Sequence, residues 1–150
     1  MLSVRSILYP TDFSSYSTQA YFHAVSLAES YRASLTVVYA FTPRESAAYA
    51  VERAYWQEQL ETVRPSNPRI PVQHVLLEGD PATEITQFAA DHGIDVIVMG
   101  THGRTGAERE LMGSTAERVM RDAPCSVLVV KMPKGSRPGI ARPHLAVAAR

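Results

Sequence analysis

Asp80-Pro81-Ala82-Thr83-Glu84-Ile85-Thr86-Gln87-Phe88-Ala89-Ala90-Asp91-His92-Gly93 leads straight into Ile94-Asp95-Val96-Ile97-Val98-Met99 and then Gly100-Thr101-His102-Gly103. The three pieces read as helix, strand and glycine-rich loop. Asp80 is suited to cap a helix, and Pro81 fits the first helical position, where no N–H is needed. Ile85, Phe88 and Ala89 fall on one helical face, and His92-Gly93 supplies the stop. Ile94 to Met99 is the strand.

The same unit recurs on both sides of this stretch. Upstream, Val4 to Tyr9 reads as a first strand stopped by Pro10, and Ser14 and Ser15 can cap a helix that reaches about Tyr31. Its apolar positions, Ala20, Ala24, Leu27, Ala28 and Tyr31, recur at helical spacing. Ser34 to Phe41 is a second strand, nearly continuous in apolar character, the pattern of a parallel strand covered on both faces. Arg44 to about Val63 is expected to be helical, with Trp56, Tyr49 and Tyr55 packing it. Pro65-Ser66-Asn67-Pro68 forms a loop, and Val72 to Leu77 a third strand. Downstream, a helix from about Ser114 to Asp122 passes through Pro124 into a fifth strand, Ser126 to Val130. This βαβαβαβαβ alternation predicts an α/β fold: one open parallel five-stranded sheet in the order 3-2-1-4-5 with helices on both faces.

Composition narrows the function classes. The 150 residues carry fifteen basic and fifteen acidic side chains, a formal net charge of +0, so no global basic field for nucleic acid exists. Cys125 is the single cysteine, which excludes an internal disulfide and a multi-cysteine metal site; it reads as an inert core thiol. His23, His74, His92 and His144 have no metal-ligand spacing. No apolar run approaches the ~18 residues of a membrane span, and the start lacks a signal-peptide core, so a cytoplasmic location is expected. Residues 132–150 hold three prolines and two glycines and little apolar periodicity. They are expected to form a mobile tail behind a domain spanning 1–131.

Ligands of open α/β sheets bind beyond the carboxyl ends of the strands, at the switch point where the strand order reverses. Here that point lies between strands 1 and 4. Strand 1 ends in Pro10-Thr11-Asp12, and strand 4 in Gly100-Thr101-His102-Gly103-Arg104-Thr105-Gly106. Gly113-Ser114-Thr115 then opens a helix. Glycines permit close backbone approach, and a helix N-terminus offers N–H groups and a favourable dipole, which together make a phosphate cradle. Neither G-x-x-x-x-G-K-[ST] nor a G-x-G-x-x-G after strand 1 occurs. Simpler roles exist for the same residues. Ser114-Thr115-Ala116-Glu117 is also a capping box, Asp12 can cap the following helix, and Gly103 and Gly106 can be turn glycines. His102 reads as a structural loop residue.

The pattern present is G-x2-G-x9-G-[ST], formed by Gly100, Gly103, Gly113 and Ser114. With Tyr9-Pro10-Thr11-Asp12-Phe13-Ser14, Gly113-Ser114-Thr115-Ala116-Glu117-Arg118-Val119 and Ala123-Pro124-Cys125-Ser126-Val127-Leu128-Val129-Val130, it resembles the ATP-binding branch of the universal stress protein family. The resemblance runs from about Val4 to Lys131. It implies that Asp12 contacts the nucleoside with main chain near Thr11, that backbone at Ala40 meets adenine, and that Gly100 lies by the ribose. Gly103, Gly113, Ser114 and Thr115 would surround the phosphates, accompanied by a Mg or Mn ion. The resemblance further implies a regulatory, stress-response homodimer paired through strand 126–130, with at most slow ATP hydrolysis. Departures are the short connection between strands 2 and 3 and the tail. The alternative is an adenylating enzyme of related architecture, which needs a glycine-rich pyrophosphate loop after strand 1; Pro10-Thr11-Asp12-Phe13-Ser14-Ser15 has no glycine. A protein-interaction module with a vestigial motif is opposed by the intact glycines.

Overall fold

Ser14 accepts the backbone N–H of Ser17 at 3.3 Å, and the helix it caps runs without interruption to Tyr31. Arg32 closes that helix in the left-handed conformation, its N–H returning to the Ala28 carbonyl. Asp80 does the same work for a later helix, accepting from the N–H of Thr83 with Pro81 in the first turn. The computed structural model describes residues 2–43, 47–102 and 112–132. Within them the elements are β1 (Ser6–Pro10), α1 (Ser15–Tyr31), β2 (Ser34–Phe41), α2 (Tyr49–Glu61), β3 (Val72–Glu78), α3 (Pro81–Asp91), β4 (Val96–Gly100), α4 (Ser114–Asp122) and β5 (Ser126–Val130).

The strands form one parallel sheet in the order β3-β2-β1-β4-β5, as the alternation predicts. Boundaries differ where a strand residue has other work. β4 begins at Val96 rather than Ile94, because the Ile94 N–H closes the end of α3 on the Ala89 carbonyl and Asp95 turns its carboxylate to β1. β1 begins at Ser6 rather than Val4 and includes Pro10, and α2 is shorter than the expected 44–63. Residues 44–46 lie outside the described residues, as does the tail from 133 onward.

Helices cover both faces. Ala20, Tyr21, Ala24, Val25 and Ala28 of α1 and Leu60 of α2 pack with Ile7, Leu35, Val37 and Val98 in one buried cluster. On the opposite face Ile85, Phe88 and Ala89 of α3 and Ala116 and Val119 of α4 pack with Leu8, Val38 and Ile97. Successive strand residues divide between the two clusters, as side chains alternating across a pleated sheet must. Trp56, half-buried, packs against the first cluster, whereas Tyr55 is exposed. Cys125 is half-buried against the second, and burial pushes its thiol up. Three connections separate β1 from β4 along the chain, and the sheet pairs the two side by side.

Candidate functional site

Beyond Pro10 the chain turns through a network of hydroxyls. The Thr11 N–H donates to the Val38 carbonyl of β2 at 2.8 Å, which extends the sheet one residue past the strand. The Thr11 Oγ1 accepts from the Ser17 hydroxyl at 2.6 Å and from the Phe13 N–H at 3.0 Å. The Tyr9 hydroxyl donates to the Ser17 carbonyl at 2.7 Å, and its phenol is pushed up because it is buried. The Thr11 side chain therefore holds the loop rather than facing a ligand. Asp12 is half-buried, and its Oδ1 accepts the Ser14 N–H at 3.0 Å. Ser14, not Asp12, caps α1.

The end of β4 meets the start of α1 directly. A Cβ added to Gly100 would lie 2.7 Å from the Tyr16 backbone carbon and oxygen. The Tyr16 ring packs on His102, centroids 5.0 Å apart, and His102 Nδ1 is 3.0 Å from the Thr101 hydroxyl. Tyr16 thus serves as a shared wall for the loops after β1 and β4.

α4 starts at the same place. The Gly113 N–H donates to the Thr101 carbonyl at 2.6 Å, tying the helix start to the end of β4. Gly113 is the N-cap, with φ −72° and ψ 160°, and no side chain among the described residues caps the helix. The expected capping box is not built: Ser114 is the first helical residue and its hydroxyl does not serve as the cap. The first-turn N–H groups of a helix have no intrahelical partner and favour an anion. Glu117 in the first turn and Arg121 in the last complement the helix dipole.

Of the expected site residues, Thr11, Asp12, Gly100, Gly113, Ser114 and Thr115 all sit at the carboxyl end of β1 and β4 or at the α4 start tied to it. Ala40 lies one strand over, near the end of β2, paired with Leu77 of β3. Gly103 falls outside the described residues, as do Arg104, Thr105 and Gly106. The arrangement offers helix N–H donors on one side and a carboxylate acceptor on the other. Among the described residues no three His, Cys, Asp or Glu side chains gather as a metal site. Sequence reading missed Tyr16 and the conformation of Phe13, since neither a close approach nor a backbone angle leaves a composition signal.

The family model for the universal stress protein family matches residues 3–131. The chain belongs to the universal stress protein family. A universal stress protein of Methanocaldococcus jannaschii, MJ0531, is 37% identical over 142 residues, covering 87% of this chain and 84% of its own. The solved structure of universal stress protein UspA from Lactobacillus plantarum superposes with a TM-score of 0.72 at 26% identity, over 87% of this chain and 99% of that one. The universal stress protein from Archaeoglobus fulgidus, solved in complex with dAMP, has the same fold at 20% identity, with a TM-score of 0.63 over 87% of this chain and 100% of that one. No helix among the described residues is long and apolar enough to cross a membrane.

Proposed function

We propose that this universal stress protein binds ATP at the β1–β4 switch point and acts as a cytoplasmic regulatory homodimer, with at most slow hydrolysis. The observation that supports this best is the Gly113 N–H bond to the Thr101 carbonyl, which seats a helix start that no described side chain caps against the end of β4. A helix start of this kind favours phosphate through its donors and dipole together. Main-chain N–H groups at Ser114 and Thr115, with Gly103, hold the phosphates in this reading, and Gly113, its own N–H given to Thr101, lets them approach closely. Asp12 takes a ribose hydroxyl, Gly100 lies by the sugar, and the backbone at Ala40 meets adenine. The dAMP bound by the Archaeoglobus protein lends the adenine class support through the shared fold. A Mg or Mn ion would accompany the phosphates and offset part of their charge. The adenylating alternative gains nothing, because the loop after β1 carries Phe13 and two serines where that chemistry needs glycines.

Thermal melting with ligand tests the reading. ATP at about 100 times its dissociation constant stabilises the fold by roughly 2.7 kcal/mol, and Gly113→Val abolishes the shift. The reason for the second outcome is steric. Gly113 has an ordinary φ, but an added Cβ already lies 3.2 Å from the Thr101 oxygen and the His102 Cα. A branched side chain must push the helix start off β4. A folded Gly113→Val protein that keeps the full ATP shift overturns the assignment.

A further inference from the structure

Phe13 has a left-handed backbone, φ 65°, although it is a bulky residue and not a glycine. L-residues with a large side chain avoid that region because Cβ crowds the carbonyl oxygen. Contacts must therefore hold it there. Its N–H is fixed by the Thr11 hydroxyl, and its ring is buried between two partners from other elements. Trp56 of α2 stacks on it, centroids 5.7 Å apart and planes 11° from parallel, and Tyr39 of β2 packs at 5.3 Å. Trp56 and Tyr39 in turn meet at 4.7 Å.

The residue so clamped stands between Asp12 and Ser14, and the Asp12 carboxylate reaches across it to the Ser14 N–H. The direction of that carboxylate depends on the backbone angles of Phe13. We infer that the Trp56–Phe13 stack is a positioning device for Asp12, so that α2, remote from the phosphate end, sets affinity for the nucleoside half of the ligand. The inference rests on the nucleotide reading above. If Trp56 lets go, Phe13 relaxes toward a right-handed or extended angle and Asp12 swings with it. The phosphate end, carried by β4 and α4, stays in place.

Calorimetric titration with ATP, adenosine and inorganic triphosphate tests this on the full chain. Trp56→Leu lowers affinity for ATP and adenosine about tenfold, the scale of one residue's left-handed penalty, and leaves triphosphate unchanged. Trp56→Phe, which keeps a stacking ring, restores binding. In an Asp12→Ala background Trp56→Leu adds no further loss, because both act through one carboxylate. Phe13→Gly, which adopts positive φ freely but has no ring to clamp, also weakens ATP and adenosine while sparing triphosphate, and it serves if Trp56→Leu fails to fold. Equal losses for all three ligands, full additivity with Asp12→Ala, or adenosine binding at wild-type strength in the folded variants overturns the inference while leaving the nucleotide site intact. A wild type that binds none of the three ligands removes the nucleotide reading and the clamp together.

Discussion

Gly100 and Gly93 are both glycines, but the fold asks different things of them. At Gly100 an added Cβ would press on Tyr16 backbone, which cannot swing aside as a side-chain tip can. At Gly93 no atom lies within 4 Å, but φ is +60°. Gly100→Ala must separate β4 from α1 and is expected to destabilise by roughly 1–3 kcal/mol, the usual cost of overpacking. Gly93→Ala meets only backbone strain and is expected to cost about 1–2 kcal/mol. Urea unfolding of both variants measures this, and a Gly100→Ala protein as stable as wild type would contradict the packing. The sequence marks Gly100 as part of a binding motif, which says nothing of Tyr16. A glycine can be demanded by a ligand or by a neighbouring helix, and one residue letter does not separate the two. Phe13 is the reverse case, since nothing in its identity announces a positive φ.

Asp95 joins two elements that are distant in the chain. Its carboxylate accepts from the Arg5 N–H at 2.8 Å and the Ser6 N–H at 3.0 Å, so it fixes the start of β1 from the residue just before β4. Those bonds, Arg5 first, hold its carboxyl below the ordinary range. A carboxyl depressed by folding contributes stability that is present above its unfolded value, near 3.9, and is lost as pH falls through the folded value. The stability of wild type is therefore expected to drop as pH falls below about 4, and Asp95→Asn is expected to flatten that acid limb while lowering stability at pH 7. Asp80 shares the window, its carboxyl held low by Thr83 and then Arg118, so the flattening is partial. Melting temperatures across that range decide it; an unchanged acid limb in Asp95→Asn would sink the argument. Element boundaries follow the same logic. The caps Ser14 and Asp80 are legible because each stands beside a clear helical pattern, and α4 and β5 fall where spacing puts them. The starts of β1 and β4 are not legible, because pairing between residues 89 apart decides them.

β5 is an edge strand, as the 3-2-1-4-5 order requires. Its side chains alternate: Ser126 and Leu128 are exposed, while Val127 packs into the cluster beneath α3 and α4. In the homodimer proposed above, two copies of this edge pair antiparallel about a two-fold axis. Lysine at Val127 would damage the core as well as the edge, so Leu128→Lys is the cleaner disruption. Wild type is expected to run as a dimer in light scattering coupled to size exclusion, and folded Leu128→Lys as a monomer. A monomeric wild type, or a dimeric variant, rejects this interface. The parallel order was legible at this scale because the right-handed rule for crossover connections leaves few alternatives. β1 sits at the centre of the sheet, yet its two flanks arrive at very different times as the chain is synthesised. β2 follows within a few dozen residues, whereas the partners of Ile7 and Leu8 on the other side are Val96 and Ile97. A nascent chain that has emerged only through α3 therefore presents the bare inner flank of its own central strand. It needs shelter from other nascent chains until β4 arrives.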